Sequence, residues 1–222
     1  MNIHEALLKI ESFKSDSLKN KLSRLEGLSV GMSDYDATHF CEEQGLDLEL
    51  MLSARRIKAA AAQIDEVIHS VGILQSLPHI LEHDELVEYV SLGAGNTGKK
   101  FDLETNKRVA EFKFIDWQPK SNTIRENGIF KDFYGLAEHQ THKKKELYVI
   151  GTHHVQKFLN GGRALSSVLS KQPKILSEIG NKYGDDAQVA RDYYELYRHN
   201  VSICDVSNII ALIDSGDANA CI

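Results

Sequence analysis

Residues 100–116, KFDLETNKRVAEFKFID, constrain the fold more than any other part of the chain. The segment contains two runs, 100–104 and 107–116, in which apolar and polar residues alternate with the period of two that is typical of β-strands. Thr105 and Asn106 between them predict a two-residue turn, so the two runs should form an antiparallel hairpin. The chain therefore must build a β-sheet, and an all-helical fold is excluded.

The alternation sorts the hairpin side chains into two faces. One face is apolar and consists of Ala110, Phe112 and Phe114, with Phe101 and Leu103 from the first strand. The other face carries Glu111 and Lys113. With a two-residue turn, Asp102 lies opposite Val109, so its side chain shares the face of Glu111 and is diagonally adjacent to it.

Asp102, Glu111 and Lys113 form the strongest chemical signal in the sequence. Two carboxylates on neighbouring strands can share one divalent cation, and partly buried like charges repel unless they are paired or metal-bound. Hard oxygen ligands suit Mg²⁺ or Mn²⁺. We therefore expect Asp102 and Glu111 to bind the metal, with Lys113 beside them as a fixed positive charge. The alternative is a solvated sheet face that carries one Glu–Lys ion pair.

The segments around the hairpin define the fold class. A helix is predicted over about 54–77, and its apolar face consists of Ile57, Ala61, Ile64, Ile68 and Val71. A strand is predicted over 85–92, a helix over 122–140 and a strand over 146–151. This order predicts an α/β fold in which helices flank a mixed central β-sheet. We expect a helical N-terminal extension at 1–53, the α/β core at 54–160 and a helical C-terminal extension at 161–222. These three parts should form one compact domain.

Charge and composition narrow the function classes. The net charge is −6, yet residues 99–145 hold 11 Lys and Arg against 7 Asp and Glu, which is compatible with a basic substrate face. No apolar run reaches the roughly 18 residues of a membrane span, and charges interrupt the N-terminal segment where a signal peptide would be apolar. The three cysteines lack metal-type spacing. We therefore expect a cytoplasmic protein with reduced thiols and no membrane association.

The sequence GAGNTGK at 93–99 matches the beginning of a phosphate-binding P-loop, G-x-x-x-x-G-K. Lys100 follows where a Ser or Thr should bind magnesium, and a strand follows where a P-loop needs a helix. A glycine-rich strand connection is the better interpretation. An enzyme that hydrolyses nucleotides through 93–99 remains an alternative function.

The segment GNTGKKFDLETNKRVAEFKFIDWQ resembles the PD-(D/E)xK nuclease superfamily, which has the restriction-endonuclease-like fold. The resemblance covers about 100 of the 222 residues, since the predicted order of elements from about Ala54 to Gly151 matches the superfamily core of a helix, three strands, a helix and a strand. Phe101 stands where many members have a proline. It implies a magnesium-dependent nuclease that hydrolyses phosphodiester bonds, most often in DNA. In the mechanism that the resemblance implies, all three residues are catalytic. Asp102 and Glu111 hold the metal, and Lys113 orients the attacking water or helps to deprotonate it.

Family members often have a further acidic residue at the active site, supplied by the first core helix. They also often have a Gln or Lys after the tripeptide that corresponds here to Glu111-Phe112-Lys113. Glu66 is the acidic candidate by its position in the first helix, although it is expected nearly opposite the apolar face of that helix. Glu85 or Glu88 could replace it if the strand prediction at 85–92 is wrong, and Gln118 is the polar candidate. Arg125 on the next helix could contact a phosphate. Residues 99–145 have only a small excess of Lys and Arg over Asp and Glu, so a homodimer or a protein partner is expected to support DNA binding. The alternative function is a catalytically inactive binding or scaffold protein with the same fold.

Overall fold

The computed structural model describes residues 2–14, 17–93, 98–114, 117 and 123–209. The chain divides into two compact units, Met1–Asp65 and Glu66–Ile222. The predictions that concern 94–97, Ile115 and Gln118 lie outside the described residues. Within the described ranges, no helix has both the length and the apolar character needed to cross a membrane.

The first unit is helical. It consists of α1 (Ile3–Lys14), α2 (Leu18–Ser29), α3 (Asp34–Glu43) and α4 (Leu48–Ala61). Helix α2 begins separately from α1, because the Ser17 hydroxyl accepts a hydrogen bond from the Asn20 main-chain N–H and caps the N-terminus of α2. Helix α1 packs on α4, and Lys9 Nζ bridges Asp47 and Glu49 at 2.9 and 2.6 Å.

The second unit contains the sheet. Its elements are α5 (Ile64–Ile80, which begins at the end of the first unit), β1 (Val87–Val90), β2 (Leu103–Thr105), β3 (Arg108–Lys113), α6 (Thr123–Ala137), β4 (Lys144–Val149), α7 (Thr152–Leu159), α8 (Leu165–Val168), α9 (Pro173–Tyr183), α10 (Ala190–Tyr197) and β5 (Ser202–Asp205). The strands form one sheet in the order β1-β2-β3-β4-β5. The first three strands are antiparallel, whereas β3, β4 and β5 are parallel. The predicted mixed sheet flanked by helices is confirmed.

Strand β5 corrects the prediction that the chain is only helical after residue 161. Ile203 of β5 pairs with Leu147 of β4, which places β5 at the sheet edge beyond the predicted core. Its four residues are too few to give a distinct period-two signal. Within the described C-terminal region, Ser202–Asp205 is therefore part of the sheet.

Both sheet faces are buried. On one face Val109 and Leu147 pack against Phe130 and Phe133 of α6. On the other face Phe112 and Leu103 pack with Ile73 of α5 and with Tyr148, whose ring stacks on Phe112 at 4.8 Å. Phe101 was predicted to share the Phe112 face, but it lies in the Val109 cluster, because β2 begins only at Leu103 and the preceding residues bend away from strand geometry.

Helix α5 presents a different face to the core from the one that periodicity predicts. The apolar residues Ile64, Ile68 and Val71 are 50, 43 and 50% exposed, whereas Gly72, Ile73 and Ser76 are buried. The helix also continues past Pro78 to Ile80, because a proline in the last turn removes only one intrahelical hydrogen bond.

Gly72 explains how closely α5 approaches the sheet. A Cβ atom on Gly72 would lie 2.5 Å from the Phe114 ring, so only glycine allows this packing without displacement. The contact fixes α5 beside the carboxyl end of β3, where Glu111 and Lys113 lie.

Candidate active site

The β2–β3 hairpin brings Asp102 and Glu111 together. Glu104 pairs with Val109 and Leu103 with Ala110, so the same register, continued by one residue, places Asp102 opposite Glu111. The predicted pairing of Asp102 with Val109 is wrong by two residues. An even shift keeps Asp102 and Glu111 on one face, and their side chains lie within hydrogen-bonding reach of each other.

Thr105 is the reason for this shift in register. Its hydroxyl oxygen accepts hydrogen bonds from the main-chain N–H groups of Lys107 at 3.0 Å and Arg108 at 2.8 Å. The side chain therefore closes the turn around Asn106 and Lys107, one residue later than predicted.

Asp102 is held from two directions. Its Oδ2 accepts a hydrogen bond from the Phe112 N–H at 2.9 Å, which extends the hairpin beyond the last backbone pair of β2. Its Oδ1 lies 3.4 Å from Nε2 of His69 on α5. Burial alone would raise the pKa of Asp102, but His69, the Phe112 amide and Glu111 together lower it below its usual range. Asp102 is therefore a fixed, ionised carboxylate.

The pKa of Glu111 is raised, whereas that of Asp102 is lowered. Burial, then the negative charges of Asp132 and Asp102, raise its pKa from 4.5 to about 9, and Lys113 offsets only part of this. Without a bound cation, Glu111 is protonated at neutral pH and can donate a hydrogen bond to Asp102. Crowded carboxyls of this kind require either a proton or a metal ion.

Lys113 lies on the same face and pairs with Asp132, which was not among the residues predicted from the sequence. Its Nζ lies 2.8 Å from Oδ2 of Asp132 on α6. Burial would lower the pKa of Lys113, but Asp132, Glu111 and Asp102 more than offset this and raise it. Burial raises the pKa of Asp132. The 2.8 Å separation suits an ammonium and a carboxylate, so we treat both groups as charged.

The spacing of apolar residues in the sequence could have indicated that Asp132 faces the sheet. Asp132 lies three residues after Ile129 and four before Leu136, on the face of α6 that the apolar pattern turns toward the sheet. Although it is paired with Lys113, its buried Oδ2 receives no well-aligned hydrogen bond from the described residues. The carboxylate therefore retains capacity for another ligand.

The three candidates for an additional acidic ligand differ in their contacts. Glu85 is bound by Arg108, whose Nη2 lies 2.6 Å from Oε2, and Glu88 pairs with Lys143 at 2.8 Å. Glu66 lies three residues before His69 on α5, hence on the same side of the helix, and its Oε2 is buried with no hydrogen-bond partner in the described structure. Glu66 was predicted to lie on the outer side of the helix, because the apolar pattern indicated that Ile64, Ile68 and Val71 were buried.

Arg108 explains why Glu85 is unavailable to the site. The guanidinium is almost fully buried at the beginning of β3 and contacts Glu85, Glu146 and the Tyr148 hydroxyl within 2.7 Å. Its charge holds the pKa of Glu85 at about 2, against the effect of burial. The network is a structural ion-pair cluster at the opposite end of β3 from Lys113.

The predicted substrate-binding residues are only partly described. Arg125 lies half-buried in the first turn of α6, seven residues before Asp132. Gln118 lies outside the described residues. The glycine-rich 93–99 segment leads into Phe101 and β2 with no helix over 98–102, which agrees with the interpretation that it is not a P-loop.

No family model matches the chain, and searches of curated proteins and of solved structures give no match either. Among the described residues, no group of three or more His, Cys, Asp and Glu is already arranged around a potential metal position. In this arrangement Glu111 interacts with Asp102, and Asp132 pairs with Lys113. The donor chemistry nevertheless suits a hard divalent cation.

Proposed function

We propose that this chain is a metal-dependent nuclease that hydrolyses phosphodiester bonds, with DNA as its substrate. The observation that carries the proposal is the contact between Asp102 and Glu111 on neighbouring strands, with Lys113 two residues further along the same face. The order of helix, three strands, helix and strand supports the resemblance to the PD-(D/E)xK superfamily.

Mg²⁺ or Mn²⁺ fits the donor set of this site. Asp102 and Glu111 would hold the ion, and the unengaged carboxylate oxygen of Glu66 makes that residue the best supported of the three additional acidic candidates. The raised pKa of Glu111 supports the fit, because a cation would replace the proton that the crowded carboxyls otherwise require. When bound, the metal would polarise the phosphate and lower the pKa of a water molecule.

The protein residues have separate roles in this mechanism. Asp102, fixed by the Phe112 amide and His69, provides a preorganised anionic ligand. Glu111 must lose its proton to become the second anionic ligand. Lys113, whose pKa is raised, acts as a cation that orients the attacking water and stabilises charge on the phosphate, rather than as a base. Asp132 positions the Lys113 ammonium at 2.8 Å.

A second candidate function is a binding or scaffold protein with the same fold. The Lys113–Asp132 ion pair favours it, since a paired lysine has less positive charge to offer a phosphate. The two functions differ in their response to metal, because only the nuclease requires a cation at Asp102 and Glu111.

Thermal unfolding and plasmid nicking test the proposal together. The wild-type protein should unfold at a higher temperature with Mg²⁺ or Mn²⁺ than with EDTA, and it should nick supercoiled plasmid only when the cation is present. Asp102→Ala should lose both responses. Lys174→Ala is the matched surface control, because that side chain is 89% exposed, and it should retain both. A wild-type protein with no metal response and no nicking would refute the nuclease and favour the scaffold.

A further inference from the structure

A polar cleft lies in the unit that contains the candidate active site. Its volume is about 470 Å³, within the range of roughly 300–1,000 Å³ that small-molecule pockets occupy. Five polar, charged or aromatic side chains line it, together with Gly161: Trp117, Glu126, His154, Lys157 and Arg163. Aromatic rings beside cationic side chains are typical of surfaces that bind single-stranded nucleic acid.

Trp117 provides the aromatic surface. Its indole stacks on the His154 imidazole, with ring centroids 5.6 Å apart and planes 20° from parallel. Trp117 is half-buried: it contacts the core and also lines the cleft. It is also the single tryptophan of the chain.

The charges around the cleft suit one phosphate. Arg163 pairs with Glu126, so these two residues contribute no net charge. Lys157 lies three residues after His154 on α7, is exposed, and forms no ion pair with any residue in the described ranges. The cleft therefore presents an aromatic stack beside one ammonium group.

Strands β3 and β4 both lead from the candidate active site toward this cleft. Trp117 is four residues after Lys113, so the two Cα atoms are at most about 14 Å apart. Lys113 pairs with Val149, the last residue of β4, and the chain leads from there into the first turn of α7, which carries His154. Ligands of α/β proteins bind at the carboxyl ends of parallel strands, which is where both sites lie.

We propose that this cleft binds an unstacked base of the nucleic-acid strand that is cleaved, with Trp117 stacking on the base and Lys157 contacting an adjacent phosphate. The proposal rests on the proposed nuclease function and specifies its substrate. It requires single-stranded or locally opened DNA, since a base inside a duplex cannot reach an aromatic side chain.

Intrinsic fluorescence tests this proposal directly, because Trp117 is the only tryptophan. A short single-stranded thymidine oligonucleotide is titrated into the full chain in EDTA, so that no cleavage occurs. Saturable quenching is expected, and Trp117→Leu should weaken binding about tenfold or more, measured by the anisotropy of the labelled oligonucleotide. Lys157→Ala should reduce the slope of log affinity against log salt by about 0.7, whereas Lys174→Ala should leave it unchanged.

The outcomes separate this proposal from the nuclease function. Binding of the oligonucleotide without quenching, or with equal affinity in Trp117→Leu, would overturn the base-binding cleft, as would an absence of binding. The nuclease function is judged independently by plasmid nicking, which can persist when the cleft proposal fails. Quenching in a protein that nicks nothing would support the cleft and refute the nuclease.

Discussion

Replacing Glu111 with Gln should stabilise the metal-free protein at alkaline pH. The wild-type carboxyl has a pKa of about 9 in the folded protein, against 4.5 as its ordinary value. The folded state therefore holds this proton more tightly than the unfolded state. The associated stability is fully present below pH 4.5 and is lost as the pH rises through 9. Glutamine has no proton to lose, and its amide can still donate a hydrogen bond to Asp102.

The size of the effect follows from the pKa difference. One proton changes the free energy of unfolding by at most about 1.4 kcal/mol per pH unit within this window. Between pH 6 and pH 9, Glu111→Gln should gain about 1–4 kcal/mol relative to wild type, with the upper figure applying if the full shift is realised. All other titrating groups are common to the two proteins, so the difference isolates Glu111.

Urea unfolding in EDTA at several pH values measures this difference. The fluorescence of Trp117 reports on the unit that contains Glu111. The stability gap between Glu111→Gln and wild type should widen steadily as the pH rises. A gap that stays constant from pH 6 to pH 9 would show that Glu111 titrates normally, and would refute the crowding of carboxyls from which we infer a cation site.

Two further predictions concern the scaffold around the site. Gly72→Ala should destabilise the protein by about 1–3 kcal/mol in urea unfolding, since its Cβ would meet the Phe114 ring at 2.5 Å. Gly128→Ala, in a helix with open space around it, should instead be neutral or stabilising, and equal effects would contradict the close approach of α5. Arg108→Met should cost about 3–5 kcal/mol, because it leaves the Glu85 charge buried, yet the metal-induced rise in unfolding temperature should persist. Loss of that rise in a folded Arg108→Met protein would place Arg108 within the site.

The hairpin shows what a sequence pattern can and cannot predict. The period-two alternation correctly predicted that β3 turns Glu111 and Lys113 to one side and Phe112 to the other. The register could not be predicted from alternation, because shifts of two residues preserve the faces. The hydroxyl contacts of Thr105 decided it.

Tertiary packing accounts for most of the features that the sequence did not predict. The apolar residues of α5 suggested the wrong inward face, because Gly72 and Ser76 pack closely against the core while Ile64 and Ile68 are half exposed. The contact of Asp132 with Lys113 joins a helix and a strand, which no local pattern in the sequence reveals.

The Lys113→Ala protein provides the most direct test of the proposed active site. Both metal ligands remain in this variant, so Mg²⁺ should raise its unfolding temperature as it does for wild type, whereas nicking of supercoiled plasmid should fall to background. Lys113→Arg should also nick poorly, since the planar guanidinium is longer and cannot occupy the same point. Nicking by Lys113→Ala at the wild-type rate would contradict the assignment of Asp102, Glu111 and Lys113 as the catalytic residues.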